Sequence, residues 1–353
     1  PPASAANPQV WAYHAHWMRT VWTQYDLSKF QRLLFFDVEV DSEGRLKRNG
    51  WPEQWGELRR TCQTQRVPLD PVVTILGKAN FSAIFSRPES SRRLLDEITA
   101  LVKETPESGI HLDVEVFDVV PEAELASFRQ FLTQLRQGMQ TPHRRTLTAF
   151  VPLVSGLYGP DEYALLDGIV VQGYDAHWVE SPKTGPVSLL EEEGSSVAWK
   201  QAGVKLTQAG VSRERIFFSS PLFGYEWPTE TDAPRAPTRG AGRTITFAPV
   251  PSALLPDLRS NAVMCSLQYG LRRETETGSP WYAFRGPDGW RQGWFDDSVS
   301  LKPRLEFVRQ NGFGGVAFFV LGYDSGVLIE TALTAFSAEK SAGAGGTAPP
   351  SDP

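Results

Sequence analysis

The chain has 353 residues, a length that fits one large α/β barrel carrying an insertion. Its 41 Asp and Glu residues outnumber 35 Lys and Arg residues, which gives a net charge of -6. This balance argues against nucleic acid and against an anionic membrane surface as partners, because both are bound through clustered basic side chains.

Short apolar runs bounded by turn residues alternate along the chain with amphipathic stretches, a pattern typical of parallel strands joined by crossover helices. Eight strands are predicted, at residues 10–16, 32–40, 71–76, 109–116, 146–153, 168–174, 215–221 and 315–321. The best-defined helices are predicted at 91–103, 121–137 and 301–310. This order favours a closed TIM (β/α)₈ barrel over an open doubly wound sheet.

The two ends of the chain, 1–8 and 337–353, are rich in Pro, Ala, Gly and Ser and are predicted to be disordered, which leaves 9–336 as the barrel domain. No apolar run reaches the roughly 20 residues that a membrane helix needs. The chain begins with Pro1 instead of Met, which we interpret as the removal of a signal or anchor segment. We therefore expect a monomer that is secreted or located in the cell envelope, as a periplasmic or lipid-anchored protein.

Residues 226–297, between the seventh strand and the next helix, contain Pro and Gly clusters without a helical period. Segments of this length are usually functional or separately folded, so we predict a small insertion with some β-structure at the rim of the barrel. It contains several Trp residues, including Trp227, in loop-like contexts where an exposed ring could stack on a sugar.

The chain has only two cysteines, Cys62 and Cys265, without the paired spacing of a zinc site. Two interpretations remain open: two buried free thiols, or one long-range disulfide. His14 and His16 have a spacing that could suit a metal, but the sequence fixes no carboxylate partner for them. We expect neither a metal nor a cofactor.

The stretch 109–116, Gly-Ile-His-Leu-Asp-Val-Glu-Val, carries the clearest chemical signal. On a strand, His111, Asp113 and Glu115 point to one side, here the barrel axis, and the apolar residues between them point to the other. Burial and the neighbouring Asp113 carboxylate should raise the pKa of Glu115, so that it stays protonated near neutral pH and can act as a general acid. The alternative is an internal hydrogen-bond network without chemistry.

This stretch resembles the Asp-Gly-x-Asp-x-Asp-x-Glu signature of glycoside hydrolase family 18, the chitinase and endo-β-N-acetylglucosaminidase family. The resemblance implies that Glu115 protonates the glycosidic oxygen while the substrate's own 2-acetamido carbonyl attacks the anomeric carbon, which retains configuration. Asp113 would hold and charge that acetamide.

Further motifs follow in the family's order. The segment 172–175 resembles Met-x-Tyr-Asp, which implies that Tyr174 donates a hydrogen bond to the acetamide oxygen and that Asp175 supports the reacting sugar. The segments 220–224, 293–298 and 314–319 resemble later family motifs, and the last places Phe319 under the sugar. His177 and Trp178, which follow Asp175, are predicted to contact substrate.

The sequence also departs from the family pattern. His111 stands where the family has a buried Asp. We expect its imidazole to line the substrate site, to contact Asp113 and, when protonated, to lower the pKa of Glu115. Phe319 replaces a Trp, and the third-strand Ser-x-Gly-Gly is reduced to 74–77, Thr-Ile-Leu-Gly. These changes favour an unusual glycan over crystalline chitin.

The sequence thus predicts a retaining hydrolase of glycans that contain N-acetylglucosamine. One alternative is a catalytically weak or silent chitinase-like lectin, although such lectins commonly lose the acidic Glu that is present here as Glu115. Another is a hydrolase of bacterial cell-wall glycan, which presents the same acetamide.

Overall fold

The computed structural model describes residues 7–140, 143–258 and 260–337. Eight parallel strands form a barrel: β1 (Gln9–Ala15), β2 (Arg32–Val40), β3 (Leu69–Leu76), β4 (Ile110–Glu115), β5 (Leu147–Val151), β6 (Gly168–Val171), β7 (Ile216–Pro221) and β8 (Gly315–Phe319). Each strand pairs with the next, and β8 pairs with β1, so the barrel is closed. The predicted TIM barrel is confirmed, with strand ends within three residues of the predicted ones.

Helices surround the barrel: α1 (Glu53–Gln65), α2 (Lys78–Phe85), α3 (Pro88–Glu104), α4 (Glu122–Gly138), α5 (Pro160–Leu165), α6 (Trp199–Gln208), α8 (Ser298–Gln310) and α9 (Val327–Ser337), while α7 (Ala262–Tyr269) lies in the insertion. The predicted helices correspond to α3, α4 and α8. Leu94, Ile98 and Leu101 form the buried face of α3 at a helical spacing. Asp297 caps α8 by accepting hydrogen bonds from the backbone of Val299 and Ser300.

The insertion follows β7 directly and forms a five-stranded antiparallel sheet. Its strands, in spatial order, are Arg243–Thr246, Phe223–Thr229, Gly289–Trp294, Pro280–Gly286 and Arg272–Arg273. Only Leu222 separates the sheet from β7. The insertion therefore begins at Phe223, three residues before its predicted start at residue 226. The helix α7 was not predicted. It has only eight residues, and its apolar and polar residues are not clearly separated into two faces, so no helical periodicity could be recognised.

A fully buried carboxylate, Glu226, organises the insertion sheet. Its oxygens accept hydrogen bonds from the guanidinium groups of Arg243 and Arg291, both at 2.7 Å, and from the Tyr282 hydroxyl at 2.8 Å. Partners from three other strands compensate the buried charge, so the sheet depends on this contact.

Both cysteines are free thiols: Cys62 is buried in α1, and Cys265 is half-buried in α7. The disulfide alternative is therefore wrong. The disorder predicted for 1–8 and 337–353 lies outside the described residues except for Asn7, Pro8 and Ser337, and Ser337 ends α9. Within the described ranges, no helix is long and apolar enough to cross a membrane.

Candidate active site

The polar row predicted on β4 lies inside the barrel. His111 and Asp113 are buried, and Glu115, at the carboxyl end of the strand, is partly exposed. Ile110, Leu112 and Val114 alternate with them and are also buried, on the helix side of the strand. The row therefore leads from the barrel interior to the face where TIM-barrel active sites lie.

Glu115 is placed where a carboxyl group holds its proton unusually well. Burial, and then the charge of Asp175, raise its pKa to about 7. A carboxylic acid with a pKa near neutrality can donate a proton to a leaving group under physiological conditions. The raised pKa of Glu115 agrees with the prediction. The neighbouring charge that contributes to it is, however, that of Asp175, which follows β6, and not that of Asp113.

We expect the alkaline limb of the kcat/KM profile to report the ionisation of Glu115. Because Glu115 donates only when protonated, activity should be present below its pKa and fall as the pH rises through about 7. Asp175→Asn removes the neighbouring charge and should move this limb to lower pH. A pH series of kcat/KM for both proteins checks this, and a wild-type limb at the ordinary pKa of a glutamate would contradict it.

Asp113 lies beneath Glu115 and is almost wholly buried, with no hydrogen-bond partner for its Oδ1 in the structure. Burial, the charge of Glu115 and the charge of Asp37 raise its pKa well above the usual range. An unpartnered buried oxygen is costly unless something else satisfies it. Asp113 is thus available to a polar group of a ligand that enters from above.

Tyr174 and Asp175 follow β6 and approach Glu115 from the side. The Tyr174 ring packs on Phe150 and Phe223, with centroids at 6.2 and 5.6 Å. Burial and the nearby carboxylates, Glu115 first, raise the pKa of Tyr174, so its hydroxyl keeps its proton and remains a donor. Asp175 has a left-handed backbone, with φ of 66°.

The structure supplies a partner for Asp175 that the sequence analysis missed. The Tyr225 hydroxyl, from the first strand of the insertion, donates a hydrogen bond of 2.7 Å to Asp175 Oδ1. Burial nevertheless raises the pKa of Asp175 to about 6. No local signal pointed to Tyr225, because the contact depends on how the insertion sheet sits against the barrel.

A cleft of about 710 Å³ opens above these groups. Glu115, Asp175 and Trp178 line it together, and Trp178 is 46% exposed. The other described lining residues are Phe117, Val154, Gln172, Ala176 and the loop 192–197. Apolar walls with a few polar groups at the base are typical of a ligand site.

Phe319 ends β8 inside an aromatic cluster and is partly exposed. Its ring meets those of Tyr13 and Phe36 edge to face, at 5.6 and 5.4 Å between centroids. These contacts fix the ring and leave part of its surface accessible. Phe319 is not among the described residues that line the cleft, so its role as the floor of a sugar site stays a prediction.

The expectations for His111 are wrong in three respects. The ring has no exposed surface and so does not line the cleft, and its two nitrogens share hydrogen bonds of 2.8 Å with the hydroxyls of Tyr13 and Thr148, not with Asp113. Burial, and then the charge of Arg32, lower its pKa to about 3. His111 is therefore neutral at working pH and does not lower the pKa of Glu115.

Two further predicted substrate contacts do not reach the cleft. Trp227 is fully buried in the insertion sheet, where its indole N–H donates to the Trp178 carbonyl at 3.0 Å. His177 turns away and donates through Nδ1 to the Pro186 carbonyl at 2.9 Å. The sheet encloses Trp227 because residues 223–229 form an internal strand, which the loop-like composition did not reveal.

In the part of the chain that the structure describes, no group of three or more His, Cys, Asp or Glu side chains could hold a metal ion. His14 donates through Nε2 to the Arg19 carbonyl at 2.9 Å, and burial lowers its pKa to about 4. His16 faces Asp37 instead, with 3.4 Å between Nδ1 and Oδ1.

The family model described as "Glycosyl hydrolases family 18" matches residues 9–324. A putative sporulation-specific glycosylase of Bacillus subtilis is 25% identical over 271 residues, which cover 72% of this chain and 57% of the relative. A cortical fragment-lytic enzyme of Bacillus anthracis is 19% identical, with 82% of this chain and 64% of the relative covered. The chain therefore spans roughly three fifths of the length of these relatives.

Among solved structures, the family GH18 chitinase of Cycas revoluta in complex with allosamidin superposes with a TM-score of 0.77. The match covers 93% of this chain and 99% of the chitinase at 18% sequence identity. At this identity the superposition demonstrates a shared fold.

Proposed function

The chain belongs to glycosyl hydrolases family 18, and from that premise we propose that it hydrolyses β-glycosidic bonds next to N-acetylglucosamine with retention of configuration. The observation that carries the proposal is the position of Glu115, whose carboxyl group has a pKa of about 7 and lies at the base of an open cleft. A carboxyl group in that state is the proton donor that glycoside cleavage needs.

The groups around Glu115 support a substrate-assisted reaction. In this proposal the substrate's acetamide oxygen attacks the anomeric carbon as Glu115 protonates the leaving oxygen. Asp113 accepts a hydrogen bond from the acetamide N–H and balances the positive charge that develops on the acetamide. The Tyr174 hydroxyl donates a hydrogen bond that orients the acetamide oxygen. Glu115 then takes a proton from the water that opens the cyclic intermediate, so one enzyme carboxyl group acts as acid and then as base.

The charge of the cleft favours an uncharged glycan. Its described lining includes the carboxyl groups of Glu115, Asp175, Glu192 and Glu193 but no Lys, Arg or His. A carboxylate on the substrate would meet only like charges there, whereas N-acetylglucosamine oligomers carry none. We therefore favour chitin-like oligosaccharides as the substrate class.

Bacterial cell-wall glycan is the second candidate. The names of two Bacillus relatives, which refer to sporulation and to cortical fragments, favour it and also support an extracellular or cell-envelope location. The two candidates differ in charge, because wall fragments usually carry carboxylates on the muramic acid and its peptides. Glu192 and Glu193, on the loop 192–197 that lines the cleft, therefore give a means of distinguishing the two substrate classes.

We expect soluble chitooligosaccharides to be cleaved with a higher kcat/KM than carboxylated wall fragments. The double variant Glu192→Gln/Glu193→Gln should narrow that ratio by roughly 10-fold, since each like-charge contact is worth about 0.2–1 kcal/mol. Hydrolysis followed by mass spectrometry measures both rates, and proton NMR of the first product checks that the β-configuration is retained.

The matched control is Glu191→Gln, which removes an adjacent charge that points away from the cleft and pairs with Lys200. It should leave the ratio unchanged. Absence of cleavage of every glycan that contains N-acetylglucosamine, in the presence of binding, would contradict the proposal and favour the lectin alternative.

A further inference from the structure

A second buried carboxylate, Asp37 on β2, lies outside the motif that identifies the site. Its residue is 7% exposed. Oδ1 accepts a hydrogen bond of 3.0 Å from the Asn49 amide and lies 3.4 Å from His16 Nδ1, and Oδ2 accepts one of 2.9 Å from the Thr74 hydroxyl. Burial alone would raise the pKa of Asp37, but these donors hold it below its usual range. Asp37 is therefore negatively charged at neutral pH.

The backbone brings this charge toward Asp113. The register between β2 and β3 shifts between Phe35 and Val38, and Asp37 lies within the shift. Such an irregularity redirects a side chain. Thr74 on β3, which donates to Asp37, is also the cross-strand neighbour of Asp113 on β4. Asp37, Thr74 and Asp113 thus occupy three successive strands of the barrel interior.

The other ionisable groups around the two carboxylates are mainly phenols and imidazoles. Asp113 is faced by Glu115 on its own strand and by the hydroxyls of Tyr13, Tyr158 and Tyr174, whose pKa values are all raised, so the three phenols are neutral. His111 on the same strand is also neutral. Asp37 is faced by His16 from the chain after β1, and in the described residues no Lys or Arg forms an ion pair with Asp37 or Asp113.

We propose that Asp37 is a positioning residue whose negative charge adds to the effect of burial in keeping the proton on Asp113 in the free enzyme. The proposal rests on the proposed function, in which Asp113 acts on the substrate acetamide. The charge of Asp37, and that of Glu115 once it ionises, disfavour a further charge on Asp113 in the same apolar interior. When the acetamide develops a positive charge beside it, Asp113 releases its proton to the solvent of the cleft, and the resulting carboxylate balances that charge.

The sign of the effect follows from this repulsion. Asp113 and Glu115 interact and lose their protons in two steps that belong to the pair. A nearby anion moves both steps to higher pH, so Asp37→Asn should move the alkaline limb of the kcat/KM profile to lower pH, by about one pH unit. A purely structural role for Asp37 would lower the height of the profile and leave that limb in place.

The experiment compares kcat/KM against pH for the wild type, Asp37→Asn and Glu39→Gln on one soluble chitooligosaccharide. Glu39→Gln is the matched control, because it removes a carboxylate from the same strand that is exposed and paired with Lys47. Its alkaline limb should coincide with that of the wild type. An alkaline limb of Asp37→Asn that coincides with that of the wild type would overturn the proposal.

A second measurement does not depend on activity. The carboxyl carbon of Asp113 is followed by NMR in protein labelled with ¹³C at aspartate, and its signal is assigned from its absence in Asp113→Asn. We expect wild-type Asp113 to ionise well above the ordinary range of an aspartate, and at lower pH in Asp37→Asn. Ionisation of wild-type Asp113 in the ordinary range would overturn the proposal, whereas a failure to cleave any acetamido sugar would count against the proposed function alone.

Discussion

Replacing Glu115 by Gln is expected to lower kcat by roughly 10²- to 10⁴-fold, the usual contribution of a positioned general acid. Gln keeps the size and polarity of the side chain but has no proton to transfer to the leaving oxygen. The cleft above it is otherwise unchanged, so glycan affinity should stay within a few-fold of the wild type. Turnover on a soluble chitooligosaccharide and calorimetric binding of the same compound measure the two effects.

The control for this prediction is Glu191→Gln, whose carboxylate is exposed and paired with Lys200. It should have wild-type turnover. Near-wild-type turnover of Glu115→Gln on every cleaved glycan would show that another group is the acid. Equal loss of binding and turnover would instead make Glu115 a binding residue.

The second large effect concerns the substrate's acetamide. A glycan in which hydroxyl groups replace the 2-acetamido groups should not be cleaved at a measurable rate, because the attacking oxygen is missing. Asp113→Asn and Tyr174→Phe should each lower kcat by about 10²- to 10³-fold with little change in KM. Both groups act most strongly on the charge that develops in the transition state.

Tyr269→Phe is a suitable control, since Tyr269 stacks on Phe284 in the insertion at 4.1 Å between centroids and does not line the cleft. Its kcat should equal that of the wild type. Efficient cleavage of a plain β-glucan would rule out the substrate-assisted reaction. It would point to an enzyme carboxylate as nucleophile, with Asp175 the first to test.

The sequence by itself determined the barrel and the row of polar residues that leads into its active face. Both rest on local periodicity: apolar runs of strand length alternate with helices, and every second residue from His111 to Glu115 is polar. Glu115 could be predicted because it lies at the end of a strand, and parallel strands end at the same face of a barrel. Asp175, which follows β6, was predicted from the resemblance of segment 172–175 to a family motif. Their positions needed no knowledge of distant contacts.

Only the tertiary structure decided the charge state of the site and the composition of its walls. His111 is neutral because Tyr13 and Thr148, on two other strands, surround it in the apolar interior. Trp227 is buried because the insertion folds into a sheet, and the same sheet carries the Tyr225 hydroxyl to Asp175. Protonation and burial depend on groups far apart in the chain, and a residue pattern on one strand holds no information about which of them will meet.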